Sequence, residues 1–366
     1  MGSYTFPTDN KSNLKREDFQ TTADGKQTDL FILTNNKGAE LCVTNFGAIL
    51  PAIMMPDRDG KFANVVLGHD NIDAVINSPE PFLCSTIGRY GNRIAKGRFT
   101  LRGTSYQLSI NNGPNSLHGG PGGFHRAVWD AEMTDAQTIV LRHTSPDNDE
   151  SFPGKVDVEM TYRLTDDNEF VIDYVAKTDK TTIINLTNHA FFNLSGIGTP
   201  TPSVENDIVT INADFFIPID ENSIPTGEIL KVEGTPMDFR QPHRVGERIN
   251  DTFRQLEIGH GYDHCYVLNK QEAGDLTFAA KCLCPATGRT LEVYTTEPGV
   301  QLYTGNWLNG FSGAHGTTFP GRSAICFEAQ HFPDTPNRHY FPSCILRPGE
   351  TYRQTTVYKF GVDTNN

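Results

Sequence analysis

The stretch Val156-Asp-Val-Glu-Met-Thr-Tyr-Arg-Leu164 alternates apolar and polar residues without a break. Successive side chains of a β-strand point to opposite faces, so this pattern predicts a strand with one buried face and one wet face. Asp166-Asp-Asn168 then supplies turn residues, and the run from Glu169 to Lys177 predicts a partner strand that returns alongside the first. Burial on one face only is typical of antiparallel sheets.

The same signals recur on both sides of this hairpin. Further strand candidates are Leu30–Thr34, Leu41–Phe46, Ile49–Met54, Arg98–Leu101, Ser105–Leu108, Thr138–His143, Thr182–Asn188, Ile208–Ile211, His264–Leu268, Leu276–Cys284, Thr290–Thr295, Val300–Tyr303, Ala324–Glu328 and Tyr352–Phe360. Helical patterns are limited to Asn71–Asn77 and Arg244–Phe253. Because helices do not alternate with strands, we predict an all-β fold, a large antiparallel β-sandwich with few short helices.

The chain shows no repeat and no linker, so we expect a single domain over residues 1–366. Residues 1 to about 25 are polar and are expected to form a loose N-terminal arm.

Composition excludes several classes of partner. The 366 residues include 31 Lys+Arg and 44 Asp+Glu, a formal net charge of −13, which disfavours nucleic acids and anionic membrane surfaces. No run of apolar residues is long enough to span a bilayer. The seven cysteines are odd in number and scattered, and the N-terminus has no apolar signal core, so we expect a reduced, cytoplasmic protein.

Two long loops rich in Gly and His, Asn111–Arg126 and Phe311–Arg322, predict a pocket on one side of the sandwich. The sequence contains none of the phosphate-loop, serine-hydrolase or zinc-protease motifs. The eleven histidines offer no close pair with a third ligand, so we expect no metal site.

Acid and base candidates lie at strand ends. His189 follows Asn185 and Thr187 at strand spacing, so the three are expected to share a polar face toward a cleft. Glu328 ends the apolar run Ser323-Ala-Ile-Cys-Phe327, where a carboxylate is largely desolvated. A satisfied structural histidine and a buried ion pair explain these two residues equally well at this point.

The two tryptophans also have two interpretations. Trp129 and Trp307 are aromatic platforms on which a sugar ring can stack, or they are residues of the sandwich core. We expect the core for both.

Taken together, the segments resemble the galactose mutarotase (aldose 1-epimerase) family from about residue 30 to the C-terminus. The matching stretches are Gly88–Phe99, Asn111–Gly120, Asn185–His189 with Phe192–Leu194, Ile224–Gly227, Gly261–His264, Val293–Asn306, Glu328–Asp334, Leu346–Glu350 and Tyr358–Phe360. The order of the motifs makes the resemblance specific, although each one alone is weak.

The resemblance implies a sugar site on a concave sheet and interconversion of the α and β anomers of a free aldose such as galactose or glucose, with no metal or organic cofactor. It assigns Glu328 as the base and His189 as the acid, which we expect to keep each other ionised. It places further substrate-binding residues around the sugar: Asn92, Arg93, His118, Asp263 and Gln301. A monomer or a weak homodimer is expected.

The chain departs from the family pattern at two points. Ala190-Phe191 stands where relatives often carry Ser-Tyr, and Cys265 stands where Asn is common. Neither touches the assigned acid or base, so we expect activity to survive. These two departures leave the preferred sugar less well defined by the resemblance than the activity is.

Three alternatives stay open. A carbohydrate-binding sandwich without turnover would bind sugar only. A hexose-phosphate epimerase relative would need several basic residues for the phosphate. A glycoside hydrolase would use two carboxylates, for which Glu328 and Asp263 are the candidates.

Overall fold

Eighteen strands in three sheets carry most of the fold in residues 4–364, the part of the chain that this computed structural model describes. In chain order they are β1 (Leu30–Thr34), β2 (Glu40–Thr44), β3 (Ile49–Pro56), β4 (Phe62–Asn64), β5 (Asp130–Asp135), β6 (Thr138–Ser145), β7 (Val156–Leu164), β8 (Glu169–Thr178), β9 (Ile208–Ile211), β10 (Phe215–Ile217), β11 (Leu230–Lys231), β12 (His243–Arg244), β13 (Asp263–Val267), β14 (Thr277–Leu283), β15 (Arg289–Thr295), β16 (Gly299–Tyr303), β17 (Cys326–Gln330) and β18 (Tyr352–Val362).

The sheets are antiparallel throughout. A nine-stranded sheet has the order β5-β6-β7-β8-β18-β15-β14-β9-β12, a five-stranded sheet the order β11-β10-β13-β16-β17, and a four-stranded sheet the order β1-β2-β3-β4. The predicted hairpin of β7 and β8 lies near the middle of the largest sheet, with Leu164 opposite Phe170. The alternating residues of β7 are buried and exposed in turn, as its sequence predicted. The all-β prediction is confirmed.

Shorter elements connect the sheets. Two-residue to four-residue strands pair at Thr22–Ala23 with Lys26–Gln27, Thr86–Ile87 with Thr187–Asn188, Arg93–Ile94 with Ser116–Leu117, Arg98–Leu101 with Thr104–Gln107, Thr182–Ile183 with Ile345–Leu346, and Phe311–Ser312 with Thr318–Phe319. The α-helices are α1 (Ile72–Ile76), α2 (Val245–Arg248) and α3 (Arg254–Gly259). Single 3₁₀ turns occur at Arg16–Phe19, Ala95–Gly97, Phe124–Arg126, Asp149–Ser151, Val204–Asn206, Ala314–Gly316 and Thr335–Asn337.

The main core lies between the nine-stranded and five-stranded sheets. It combines Met160 and Tyr358 from the larger sheet with Tyr266, Leu302 and Phe327 from the smaller one. The Tyr358 hydroxyl crosses the interface and donates to the Phe327 carbonyl at 2.7 Å. This packing fixes β17, the strand that carries Glu328.

The N-terminal segment is packed rather than loose over residues 4–25. Leu14 and Phe19 are buried in a second apolar cluster against the four-stranded sheet. The Ile32 N–H of edge strand β1 donates to the Tyr4 hydroxyl, and the Glu40 carboxylate accepts from the Lys11 backbone N–H. The few apolar residues between polar ones are therefore enough to cover a sheet face. The single-domain assignment stays a prediction.

Two other expectations differ from the structure. The predicted strand over Thr182–Asn188 is two separate short strands. Between them, the Asn185 side chain donates to the carbonyls of Gly91 and His331, and the strand is interrupted there. The predicted helix over Arg244–Phe253 ends at Arg248, and α3 begins after it. Within residues 4–364, no helix has the length and apolar character needed to cross a bilayer.

Candidate active site

A cavity of about 520 Å³ lies over one face of the five-stranded sheet. Strands β13, β16 and β17 place Asp263, Tyr303 and Glu328 on its lining. Loops and the short strand pair of Arg93–Ile94 with Ser116–Leu117 supply the rest of the lining: Glu80, Pro81, Phe82, Asn92, Arg93, Asn111, Asn112, Gly113, Pro114, Leu117, His118, His189, Glu221, Asn222, Ser223 and Trp307.

Strand register explains why these side chains meet. Asp263 pairs with Tyr303, which pairs with Cys326, so these three occupy one row across the sheet. The next row with the same side-chain direction contains Gln301 opposite Glu328. Residues directly opposite each other share a face, so the register alone brings Glu328 and Asp263 to the same side.

Glu328 lies on the cavity floor without hydrogen bonds in the described part of the chain. It is only 2% exposed, and its Oε2 atom has no partner. Burial raises the pKa of Glu328 well above its usual value, the Asp263 charge raises it further, and the Arg93 guanidinium opposes both. A buried carboxyl without donors is costly unless a ligand supplies them, so Glu328 is poised to bind a hydroxyl group.

His189 stands beside it. Its Nε2 atom lies 3.6 Å from Glu328 Oε1, and its ring stacks on Phe191 at a centroid distance of 4.7 Å. The backbone of His189 is held in both directions, because its N–H donates to Ser85 and its carbonyl accepts from Cys84. Phe191, one of the departures from the family pattern, is thus the floor under the imidazole.

Asn92 and His118 fix each other. The Asn92 N–H donates to His118 Nδ1 at 3.0 Å, and the His118 N–H donates to the Asn92 carbonyl at 3.0 Å. The loop closes tightly here because Gly119 has φ +86°, and a Cβ on it would lie 2.1 Å from the Gly88 carbonyl oxygen. Arg93 follows and donates through Nε to Asn112 Oδ1 at 2.9 Å.

Gln301 does not reach the lining. It is buried beside Asp263 on the same sheet face and donates through Nε2 to Asp263 Oδ1 at 2.9 Å. Burial raises the pKa of Asp263, while Arg93 and this hydrogen bond lower it. The structure therefore places Gln301 as a support for the Asp263 carboxylate, and the other six predicted residues surround the cavity.

The expected mutual ionisation of Glu328 and His189 is not favoured at two positions as buried as these. Burial lowers the pKa of His189 to about 4, and it raises the pKa of Glu328. Desolvation penalises both charges more than their attraction across 3.6 Å compensates. A neutral histidine with a protonated glutamic acid holds the same number of protons as the ion pair, so the two forms differ only in where one proton sits.

The expectation that the histidines offer no close pair with a third ligand is wrong: His118, His189 and Glu328 have the spacing of a metal site, with one donor atom from each inside a 4.8 Å group. The hydrogen bond from the Asn92 N–H already occupies the lone pair of His118 Nδ1. Burial lowers the pKa of His118 well below its usual value, so the ring is neutral and Nε2 carries its proton. This tautomer offers a hydrogen-bond donor rather than a metal ligand.

Sequence reasoning missed or misplaced part of the site. Trp129 is fully buried, as expected, but Trp307 is 60% exposed at the cavity mouth against His260, so the core interpretation was wrong for it. The loop Phe311–Arg322 contributes no lining residue, because it forms its own small hairpin. Glu80 and Phe82 line the cavity from a Pro-bracketed turn whose only signal was its proline content.

Comparison with known proteins identifies the family. The profile of the aldose 1-epimerase family matches residues 29–359. The chain is 43% identical to galactose mutarotase of Mus musculus over 87% of this chain and 90% of that protein. It is 36% identical to aldose 1-epimerase of Escherichia coli K12 over 92% and 96%. The chain therefore belongs to the aldose 1-epimerase family, and it is an enzyme of that type.

Solved structures agree with this fold. A GalM/aldose epimerase homologue from C. elegans has a TM-score of 0.84 and 29% identity, over 92% of this chain and 99% of that one. Galactose 1-epimerase from Lactobacillus acidophilus NCFM has a TM-score of 0.81 and 29% identity, over 93% and 97%.

Proposed function

We propose that this enzyme interconverts the α and β anomers of galactose and glucose, with Glu328 as the base and His189 as the acid. The observation that carries the proposal is the pair itself: an unpartnered buried carboxyl and an imidazole, 3.6 Å apart on the floor of a cavity. The names of the relatives supply the sugar class.

The reaction needs two coupled proton transfers at one carbon. Glu328 accepts the proton of the anomeric hydroxyl O1, and His189 in its protonated form donates to the ring oxygen O5. The C1–O5 bond breaks as the C1=O1 double bond forms, so O1 becomes a carbonyl oxygen and O5 becomes a hydroxyl group. After rotation about C1–C2, O5 attacks the other face of the carbonyl, and each group reverses its role. Two oxygens on the same carbon match two groups that are 3.6 Å apart.

The surrounding residues support the same reaction. His118 offers its Nε2–H, and Arg93 offers fixed guanidinium donors toward the oxygen on which negative charge develops. Asn92 and Asp263 complete the polar lining, and Gln301 holds the Asp263 carboxylate. These groups need no bound cofactor to move the two protons.

The test is polarimetry of freshly dissolved α-galactose. Glu328→Gln and His189→Gln are each expected to lower kcat by about 10²–10⁴-fold. Glu257→Gln, an exposed carboxyl on α3 outside the lining, is the matched control and should leave the rate unchanged. Near-normal rates in both site variants would refute the assignment. Sugar binding without any rate enhancement in the unmodified protein would favour the non-catalytic alternative.

The hexose-phosphate and hydrolase alternatives have less support. Arg93 is the one Lys or Arg side chain among the described lining residues, whereas a phosphate site needs several. We also propose a cytoplasmic protein that is a monomer or a weak homodimer, with no nucleic-acid or membrane partner. All seven cysteines are free thiols, and the net charge is −13.

A further inference from the structure

Besides the histidines and Tyr303, five ionisable side chains line the cavity in the described part of the chain. Four are carboxyl groups, on Glu80, Glu221, Asp263 and Glu328, and one is the Arg93 guanidinium. Such a lining has an excess of negative charge, which acts on any charged substituent of a bound sugar.

Three of the four carboxyl groups have a positive or proton-bearing neighbour. Arg93 lowers the pKa of both Asp263 and Glu328, and Gln301 also donates to Asp263. Glu221 is exposed at the mouth and accepts from Arg254 at 2.8 Å. Their charges are therefore compensated or screened by water.

Glu80 differs from them. In the described part of the chain its carboxyl has one hydrogen bond, from the Phe82 N–H to Oε1 at 3.2 Å, and no ion pair. In the same part of the chain, no hydrogen bond reaches its Oε2 atom. Burial raises the pKa of Glu80 to about 7, and no nearby cation opposes that shift.

The backbone around Glu80 is restrained. Pro79 and Pro81 flank Glu80 and restrict the backbone on both sides. The Glu80 carbonyl accepts from the Leu83 N–H at 3.3 Å, which closes a turn with proline at its second position. Phe82 in the same turn contacts the His118 ring at a centroid distance of 4.7 Å, so the turn is attached to the site wall.

We propose that Glu80 is a specificity-determining residue of the aldose site, which favours a sugar that carries a positive charge and rejects one that carries a negative charge. The inference rests on the proposed function, because it assumes that the aldose occupies this cavity. It predicts that amino-substituted aldoses are accepted and that uronates are excluded.

Two probes carry opposite charges at C6: an ammonium group in 6-amino-6-deoxygalactose and a carboxylate in galacturonate. Each is used as a competitive inhibitor of galactose mutarotation at a pH above 7, so the measurement does not require that either probe itself reacts. In the unmodified enzyme the ammonium sugar should bind more tightly than the uronate. Glu80→Gln should reduce the ratio of the two inhibition constants about tenfold.

Glu221→Gln is the matched control, because it removes a carboxyl from the same lining at an exposed, paired position. It should change the ratio by less than about twofold. Glu80→Ala, which removes the charge without adding an amide, should reproduce the Glu80→Gln result, and melting temperatures confirm that both variants are folded. An unchanged ratio in both Glu80 variants would overturn the inference. Failure of the unmodified enzyme to act on galactose at all would instead refute the proposed function.

Discussion

Replacing Asp263 with Asn should move the acidic limb of the pH–activity profile to lower pH. Asp263 and Glu328 share a sheet face, and the Asp263 charge raises the pKa of Glu328. Without that charge the Glu328 pKa falls, so the base form of the pair persists to lower pH. Asn keeps an oxygen for the Gln301 donor, which makes the replacement conservative in shape.

The strand register sets the distance between Asp263 and Glu328, and this distance sets the size of the change in the Glu328 pKa. Asp263 and Glu328 are two strands apart and offset by two residues, which is about 10 Å across and about 7 Å along the sheet, or about 12 Å in total. At an effective dielectric constant of about 20, two unit charges at that separation interact by about 1.4 kcal/mol. That energy corresponds to about one pH unit.

The assay is kcat/KM for galactose by polarimetry from about pH 5 to about pH 8, because this parameter reports the ionisation of the free enzyme. The spontaneous rate is subtracted at each pH. Asp263→Glu keeps the charge and should leave the limb in place, even where activity is reduced. A limb that stays fixed or moves to higher pH in Asp263→Asn would refute the electrostatic reasoning.

Three further predictions concern stability and metal dependence. Burial would lower the pKa of His331, but the charge and hydrogen bond of Glu297 raise it overall. The contribution of this pair to the free energy of unfolding is therefore fully present below about pH 6.5 and is lost as pH rises through the raised pKa of His331. In urea titrations, His331→Gln should flatten this loss of stability with rising pH. Trp129→Ala should cost about 3–5 kcal/mol of unfolding free energy, whereas Trp307→Ala should cost less than about 1 kcal/mol, and equal losses would contradict the burial difference. Dialysis against EDTA should leave the mutarotation rate within about twofold, since the neutral His118 presents a proton to the cavity, and a loss restored by Zn²⁺ would show the opposite.

The sequence predicts the sheets well because their signal is local. In β7 each residue reports its own face, and the structure repeats that pattern residue by residue. Trp307 gives no such signal, because it follows a buried strand in the sequence and so looks like a core residue. The turn at Gly305 and the contact with the His260 ring place it at the cavity mouth instead. The prediction that Asn185 and Thr187 face the cleft together with His189 is wrong for a similar reason: neither residue lines the cavity, and the partners of Asn185, Gly91 and His331, are distant in the chain.

The protonation states of the acid–base pair also depend on contacts that the sequence alone does not reveal. Sequence reasoning identified Glu328 and His189 through a resemblance, but it treated them as charges that stabilise each other. The structure shows two groups that are only 2% and 5% exposed, where burial favours the neutral form of each.

This preference bears directly on the proposed chemical step. In that step, ring opening would start from a Glu328 carboxylate and a His189 imidazolium and end with a protonated Glu328 and a neutral His189, because Glu328 takes the O1 proton while His189 gives its proton to O5. The step removes both charges from a site that disfavours them, so the cost of forming the reactive ion pair from the neutral resting pair is recovered as the ring opens. A variant that admits water beneath the imidazole, such as Phe191→Ala, should raise the pKa of His189 toward its ordinary value and move the acidic limb of kcat/KM to higher pH, in addition to losing about 3–5 kcal/mol of unfolding free energy. If the limb stays in place in that variant while the protein is measurably destabilised, burial is not what lowers the pKa of His189.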